Sequence, residues 1–443
     1  MREAAMSTVS TTNDGLPAPM RRRVLAAGAS AAAALGMPAL ALGQSRSTLR
    51  IGYITALSGV RANFGEADNW TLDKFKAAVK DGVQIGGRKY AVEVVLKDNQ
   101  SDPNRSQTVA SEVVLRDKVD LVLVQDFDAA GPAGQLCDVN GIPMISTMAP
   151  WQAFTFGRGS TPEKGFPYSF HFFWGADDVL KNFFGMWNGV QTNKIVGTFY
   201  IDNPPGQAFA DTKTGLPAGA KQFGFKEINT GFFKIATDDF SNQVSAFKAG
   251  NAQIVSGFAY ANHFATFWKQ AQQAGLKPEV VTMAASFLFP SGVQALGDSG
   301  DGMSTEIWWT PAFPYRSSIT GQSAKELAAE WEASSGRQWT QPIGYGHALW
   351  ETGLAALKGA GDPKDRKAVR DAIAKMKLDS IIGPINFRDS PIKSIAVTQM
   401  VGGQWRKTRG GKFPFELLIT HNSTAPNIPV ESELRLLSAL QRT

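Results

Sequence analysis

Three short apolar runs between Val92 and Ser146 are separated by two polar, helix-compatible stretches, and this alternation constrains the chain more than any other feature. Val92 to Leu96 reads as a buried strand. A polar patch from Lys97 to Asn104 follows, in which Asp102 suits a helix N-cap and Pro103 the first helical position, where no N–H is needed. The helix from Asn104 carries apolar Val109, Val113 and Val114, and Val119 to Val124 makes a second, β-branched strand. Asp126 to Ala130 reads as a small polar turn before a helical start at Gly131-Pro132, and Ile142 to Ile145 as a third strand ending at Ser146. Strand, helix, strand, helix, strand demands parallel pairing with right-handed crossovers. Ligands of such sheets bind beyond the carboxyl ends of the strands. Asp126 to Ala130 and Ser146 to Trp151 are therefore the first places to look for a site.

The same alternation returns later in the chain. Lys194 to Ile201 reads as a strand, followed by a helix from Asp211 to Phe223, a strand at Glu227 to Gly231 and a helix from Asp239 to Lys248. Ala252 to Gly257, a helix from Asn262 to Gly275, and Val280 to Ala284 continue it. Two such series make two lobes, and 443 residues with 43% hydrophobic content are enough for both cores. Ile395 to Trp405 reads as one strand with a turn at Gly402-Gly403, and the tail from Asn422 has no strong pattern.

The amino terminus reads as an export signal. Arg21-Arg22-Arg23-Val24-Leu25 resembles a twin-arginine motif, and Val24 to Leu42 is apolar but rich in Ala and Gly and broken by Pro38. Ala39-Leu40-Ala41 is a small-x-small cleavage site, and with no cysteine near it the expected product is not a lipoprotein. The expected location is the periplasm.

Several chemistries lack their signatures. The formal net charge is +6, with no Lys/Arg block of the kind that binds nucleic acid. The single cysteine, Cys137, allows no intrachain disulfide and reads as a small core residue. His171, His263, His347 and His421 are far apart, and no zinc motif, nucleophile elbow, Walker sequence or complete dinucleotide fingerprint occurs. The expectation is a non-enzyme without metal or cofactor.

Asp98-Asn99-Gln100-Ser101-Asp102-Pro103 after a strand, then Val119 to Val124, then Gly141-Ile142-Pro143-Met144-Ile145-Ser146 resembles bacterial solute-binding proteins of the branched-chain amino-acid type, which feed ABC transporters. The resemblance, to leucine-binding-protein-like chains of the type I periplasmic-binding fold, runs over nearly the whole mature chain. It implies an α/β fold of two Rossmann-like lobes with parallel central sheets joined by a multi-strand hinge. The expected divisions are a signal at 1–41, one lobe at 46–172 and 304–393, a second at 173–303 and 394–430, and a tail at 431–443. A hinge strand is expected near His171 to Gly175, with Asp177 capping the next helix, and Met303 to Thr310 returning the chain to the first lobe.

The resemblance also implies a cleft between the lobes that captures a small polar solute for a membrane permease, the receptor itself being monomeric. Its candidate lining is Ser58 and Phe64 on the first turn, Phe127 and Asp128 on the second, and Met148, Ala149 and Trp151 on the third, with Tyr200, Asp202, Tyr260 and Ser286 from the second lobe. Three positions depart from the amino-acid-binding pattern: Phe127-Asp128 replaces a small Ser-type turn, Pro150 stands where a Thr is common, and Ala285-Ser286 offers no carboxylate for an ammonium. Trp151 and Phe64 could stack on an aromatic or planar solute instead. Two other functions stay open at this point: an exported enzyme with a site assembled from scattered residues, and a periplasmic ligand sensor.

Overall fold

The computed structural model describes residues 47–440. The export signal read over residues 1–41 lies outside them. Among the described residues sixteen strands form two seven-stranded sheets and one hairpin. The first eight are β1 (Ser47–Thr55), β2 (Val83–Ile85), β3 (Arg88–Asp98), β4 (Leu121–Gln125), β5 (Met144–Ser146), β6 (Ser169–Phe173), β7 (Ile195–Ile201) and β8 (Lys226–Phe233). The rest are β9 (Ile254–Phe258), β10 (Val280–Ala284), β11 (Met303–Ile307), β12 (Lys377–Ser380), β13 (Gly383–Asn386), β14 (Ile395–Val397), β15 (Val401–Lys407) and β16 (Phe415–His421).

The first sheet runs β14-β6-β5-β4-β1-β3-β2 and the second β16-β15-β11-β10-β9-β7-β8. Pairing is parallel except for β2 with β3 in the first sheet and for β15, which is antiparallel to β11 and β16, in the second. β4 shows why the apolar run is continuous. Leu121 and Leu123 belong to one core cluster and Val122 and Val124 to the other, so helices cover both faces of the sheet. The result is the expected α/β architecture of two lobes with mostly parallel sheets.

The helix Pro103–Ser111 starts as read: Asp102 Oδ1 accepts from Arg105 N at 2.7 Å, and Pro103 occupies the first turn. The next helix does not. It spans Phe127–Asn140, with Asp126 as N-cap and Pro132 inside it. The Asp126 carboxylate accepts from the backbone N–H of Asp128 and Ala129, at 2.9 and 3.0 Å, which starts the helix before the proline. Phe127 and Asp128 therefore sit on a helical first turn, not in a loop. The helix Ala176–Asn188 is capped at Gly175, whose N–H is held by Asp178 Oδ2 at 3.1 Å, rather than by Asp177.

The apolar run from Ile395 splits. β14 pairs with β6 in the first sheet, and β15 pairs with β11 in the second. Thr398 to Met400 carries the chain between them. β11 likewise belongs to the second sheet, before the chain returns. Both strands fall on the other side of the boundaries drawn at 303/304 and 393/394 from sequence. Gly402 and Gly403 form no turn but lie within β15 at a register irregularity. A Cβ on Gly402 would lie 2.8 Å from Met186 Sδ, and one on Gly403 2.1 Å from Ile307 Cδ1, so these glycines answer a packing demand.

The chain passes between the sheets three times: at Trp174-Gly175 after β6, at Trp308 to Thr310 after β11, and at Thr398 to Met400. Tyr345, on the helix Pro342–Gly359, ties all three. Its ring lies 5.0 Å from Phe173 and 5.2 Å from Trp308, and its hydroxyl hydrogen-bonds with Thr398 Oγ1 at 2.7 Å. Thr398 N also donates to Phe173 O at 3.2 Å, and Trp308 N to Gln341 Oε1 at 2.8 Å. No helix among the described residues is long and apolar enough to cross a membrane.

Candidate interlobe site

Open parallel sheets bind ligands where the strand order reverses, outside the carboxyl ends. In the first sheet β1 lies between β3 and β4, so the reversal falls beside the loop after β1. In the second sheet β7 lies between β8 and β9. Each reversal carries a polar cluster.

The first cluster is centred on Arg61 and Asp126. Arg61 Nε donates to Asp126 Oδ2 at 3.2 Å, and Nη2 lies 2.6 Å from Asp128 Oδ2, off the hydrogen-bonding direction, as an ion pair. Asp126 Oδ1 also accepts from Asn99 Nδ2 at 2.5 Å. Burial pushes the Asp128 carboxyl up, the Arg61 guanidinium pulls it down, and Asp126 pushes it up again. The anionic turn read from sequence is thus answered by a cation that sequence reasoning missed. Ser58 is exposed, and its hydroxyl donates to Asp98 Oδ2 at 2.7 Å while its C=O accepts from Ser101 Oγ at 2.7 Å. It pins the β1 loop to the end of β3.

The second cluster joins Asn203 to Tyr260. Asn203 Nδ2 donates to Tyr260 Oη at 3.2 Å. Tyr260 is half exposed, and Asp202 is exposed with Oδ1 accepting from Gln207 Nε2 at 2.9 Å. The two clusters face each other. Burial raises the Tyr260 hydroxyl, and the next influence on it is the Arg61 guanidinium from the other lobe, which lowers it; Asp128 raises it again. A second contact spans the lobes: the Phe64 ring meets Phe289 edge-on at 4.9 Å between centroids.

The third turn lies beside the hinge. Met148 has a left-handed backbone, φ 73°, just past β5, and Ala285 has φ 66° just past β10. Non-glycine residues in this region carry strain, which concentrates at functional sites. Ala149 O is held by His171 Nε2 at 2.7 Å, and burial lowers that imidazole to about 4, so it is neutral at pH 7. Trp151 N donates to Trp174 O at 3.2 Å, and a Cβ on Gly175 would lie 2.7 Å from Trp151 Nε1, which sets this indole against the first crossing. Ser286 is buried, and its Oγ donates to Ala259 O at 2.7 Å, joining the ends of β9 and β10.

Tyr200 does not join this group. Its side chain is buried, and its hydroxyl donates to Glu227 Oε1 at 3.1 Å. Glu227 is paired with Val196 in the ladder, so the Tyr200 ring runs back along the sheet away from the strand ends. Phe127 is partly exposed on its helical turn. Besides Arg61, the residues missed from sequence are Asn203, Phe289 and Glu306. Glu306 was marked only by being the single charged residue between Met303 and Trp309.

Among the described residues no group of three or more His, Cys, Asp or Glu side chains could hold a metal ion. The arrangement offers polar and aromatic groups converging from two lobes, which is the construction of a small-molecule cleft.

The fold is shared widely. A substrate-binding protein of an ABC transporter from Sphaerobacter thermophilus superposes with a TM-score of 0.69 at 18% identity, covering 86% of this chain and 98% of that one. A solute-binding protein of an ABC transporter from Rhodopseudomonas palustris, solved with 3,4-dihydroxybenzoic acid, gives 0.66 at 22% identity, covering 85% and 98%. A leucine-binding protein from Thermotoga maritima gives 0.65 at 17% identity, covering 85% and 99%. The family model for periplasmic binding proteins matches residues 48–411, and the chain belongs to that family, with its type I fold.

Proposed function

We propose that the protein is an extracytoplasmic receptor that captures a small polar solute between its lobes and delivers it to the permease of an ABC importer. One observation carries the reading: the strand-order reversals of the two sheets face each other, with Tyr260 of one lobe within electrostatic reach of Arg61 and Asp128 of the other. A group bound there touches both lobes and so favours the closed arrangement by its differential contacts. The three crossings supply the hinge. The lobes are taken as the two sheets with their helices, and the site as Ser58, Phe64, Phe127, Asp128, Met148, Ala149, Trp151, Asp202, Tyr260 and Ser286, with Arg61 and Asn203 added. The relatives solved with leucine-type and aromatic-acid names make both classes worth testing.

A thermal-shift screen of the chain from Leu42 against amino acids, aromatic carboxylates, amides, urea and short dicarboxylates tests the reading. A solute at 100 times its dissociation constant adds about 2.7 kcal/mol of stability, a plainly visible rise in melting temperature. Absence of any shift across the library, or turnover of the compound that binds, would contradict a transport receptor.

A further inference from the structure

The third crossing is anchored on either side of one residue. Thr398 is fastened to the first lobe: its hydroxyl meets the Tyr345 hydroxyl at 2.7 Å, and its N–H donates to Phe173 O at 3.2 Å. Met400 is fastened to the second. Its C=O accepts from Thr424 Oγ1 at 2.6 Å, and Thr424 Oγ1 accepts from Asn182 Nδ2 at 2.9 Å. Asn182 stands on the helix Ala176–Asn188, which packs against β15 and β16. Rotation of one lobe against the other at this crossing therefore falls on Gln399, between the two anchors.

The Gln399 side chain is itself bonded to both lobes. Its Oε1 accepts from the Tyr315 hydroxyl, its Nε2 donates to Asn427 Oδ1 at 2.7 Å, and Asn427 Nδ2 donates to Tyr315 Oη. Three side chains thus close a ring of three hydrogen bonds, in which each donates once and accepts once. Tyr315 belongs to the first lobe: two residues on, Ser317 Oγ bonds His347 Nε2 at 2.7 Å, on the helix Pro342–Gly359 that packs on β4 and β5. Asn427 belongs to the second, on a segment held against β16 by Asn422 Nδ2 donating to Ile428 O at 2.6 Å and Glu431 N to Ile419 O at 2.9 Å. Gly383, with φ 102°, seats the ring. A Cβ there would lie 2.8 Å from Tyr315 Cε2 and 3.1 Å from Gln399 Oε1.

Two other polar links between the lobes, Gln338 Nε2 to Phe415 O at 2.8 Å and Lys412 Nζ to Glu332 Oε2 at 3.4 Å, include no crossing residue. The arrangement in which the ring is closed is also the one in which the cleft edges touch, Phe64 against Phe289. Displacing any one of the three side chains breaks two of the three bonds, so the ring favours this arrangement over a wider one. None of the three sits on the loops beside the strand-order reversals.

We propose that Tyr315, Gln399 and Asn427 form a hinge clasp that holds the lobes toward the closed arrangement and so sets solute affinity from outside the candidate site. The inference rests on the interlobe cleft being the solute site. Apparent affinity falls in proportion to the closed fraction of the protein, so loss of the clasp weakens binding with every cleft contact intact.

Asn427→Ala and Tyr315→Phe, each of which removes two of the three bonds, test it. Spin labels at Val60→Cys and Ile235→Cys, exposed on loops of opposite lobes, read the separation by pulsed electron resonance. Without solute, each variant should show a longer mean distance than the labelled parent. Calorimetry with leucine and 3,4-dihydroxybenzoate should show about fivefold weaker binding in each variant, for whichever of the two binds the parent. The double variant should lose less than the product of the single losses, because both remove the bond that Tyr315 and Asn427 share. Asn193→Ala is the control. It removes hydrogen bonds within the second lobe alone, to Asn251 O at 2.7 Å and from Ile195 N at 3.1 Å, and should move neither distance nor affinity. Solute-free distances equal to the parent's, or longer distances with unchanged affinity, would overturn the clasp. Its failure is distinguishable from failure of the receptor reading. If solutes bind and the distances match, the clasp falls and the receptor stands; if nothing in the thermal-shift library binds, the receptor reading falls and the solute-free distances alone decide the clasp.

Discussion

Truncating Tyr345 to alanine should lower the free energy of unfolding by about 4 kcal/mol, the range for removing a fully buried aromatic ring. The ring is enclosed by Phe172, Phe173 and Trp308, and its hydroxyl meets Thr398. These partners come from β6 and from two of the three crossings, so the cavity would open where the lobes are joined. Tyr345→Phe keeps the ring and loses one hydrogen bond, which should cost about 1 kcal/mol. Urea unfolding of both variants against the parent gives the comparison. A loss below about 1.5 kcal/mol for Tyr345→Ala would mean that the crossings close over the gap and that the ring is no pin.

Asp68→Asn should make the protein progressively more stable relative to the parent as pH rises from about 4 to 7, the gain reaching roughly 4 kcal/mol by pH 8. Asp68 is fully buried beneath the β1 loop, where its Oδ2 meets Thr55 Oγ1 and its Oδ1 accepts from Gln125 Nε2 at 2.5 Å. Burial is the largest influence and raises the carboxyl from 3.8 to about 7, against the lowering pull of its hydrogen bonds. The folded state therefore holds a proton through a pH range in which the unfolded chain has lost it. Stability from this group is fully present below the unfolded value and is lost as pH rises through the folded one. Asparagine reproduces the protonated acid: it can accept from Gln125 and donate to Thr55, and it does not titrate. Unfolding curves at pH 4.5 and pH 8 decide the point. A difference between variant and parent that stays constant across this range would show that Asp68 is ionised in the folded protein.

Much of the architecture was legible because buried parallel strands leave long apolar runs. β4 and β5 read directly from Val119 to Val124 and Ile142 to Ile145, and Asp102-Pro103 marked its helix start correctly. The failures have local causes. Pro132 looked like a helix start because proline favours a first turn, but Asp126 caps six residues earlier. The run from Ile395 looked continuous because the short crossing at Thr398 to Met400 carries no glycine or proline to break it. β16 escaped notice altogether.

The candidate site was less legible than the fold, for two physical reasons. Pairing partners lie far apart in sequence: Arg61 finds Asp126 and Asp128 only because β1 and β4 are neighbours in the sheet. Side-chain direction is not written in the strand pattern either. Tyr200 stands one residue before the end of β7, yet its hydroxyl turns back to Glu227, while Glu306, inside the buried strand β11, reaches the loop after β10.

A receptor of the proposed kind closes its cleft around the solute. Spin labels at Val60→Cys and Ile235→Cys, both largely exposed on the β1 and β8 loops of opposite lobes, would report the separation by pulsed electron resonance, with the native Cys137 buried and silent. The strongest binder from the thermal-shift screen is added to saturation. The expected result is a shorter and narrower distance distribution than in its absence, as lobe closure requires. A distribution unchanged by a saturating solute would contradict it.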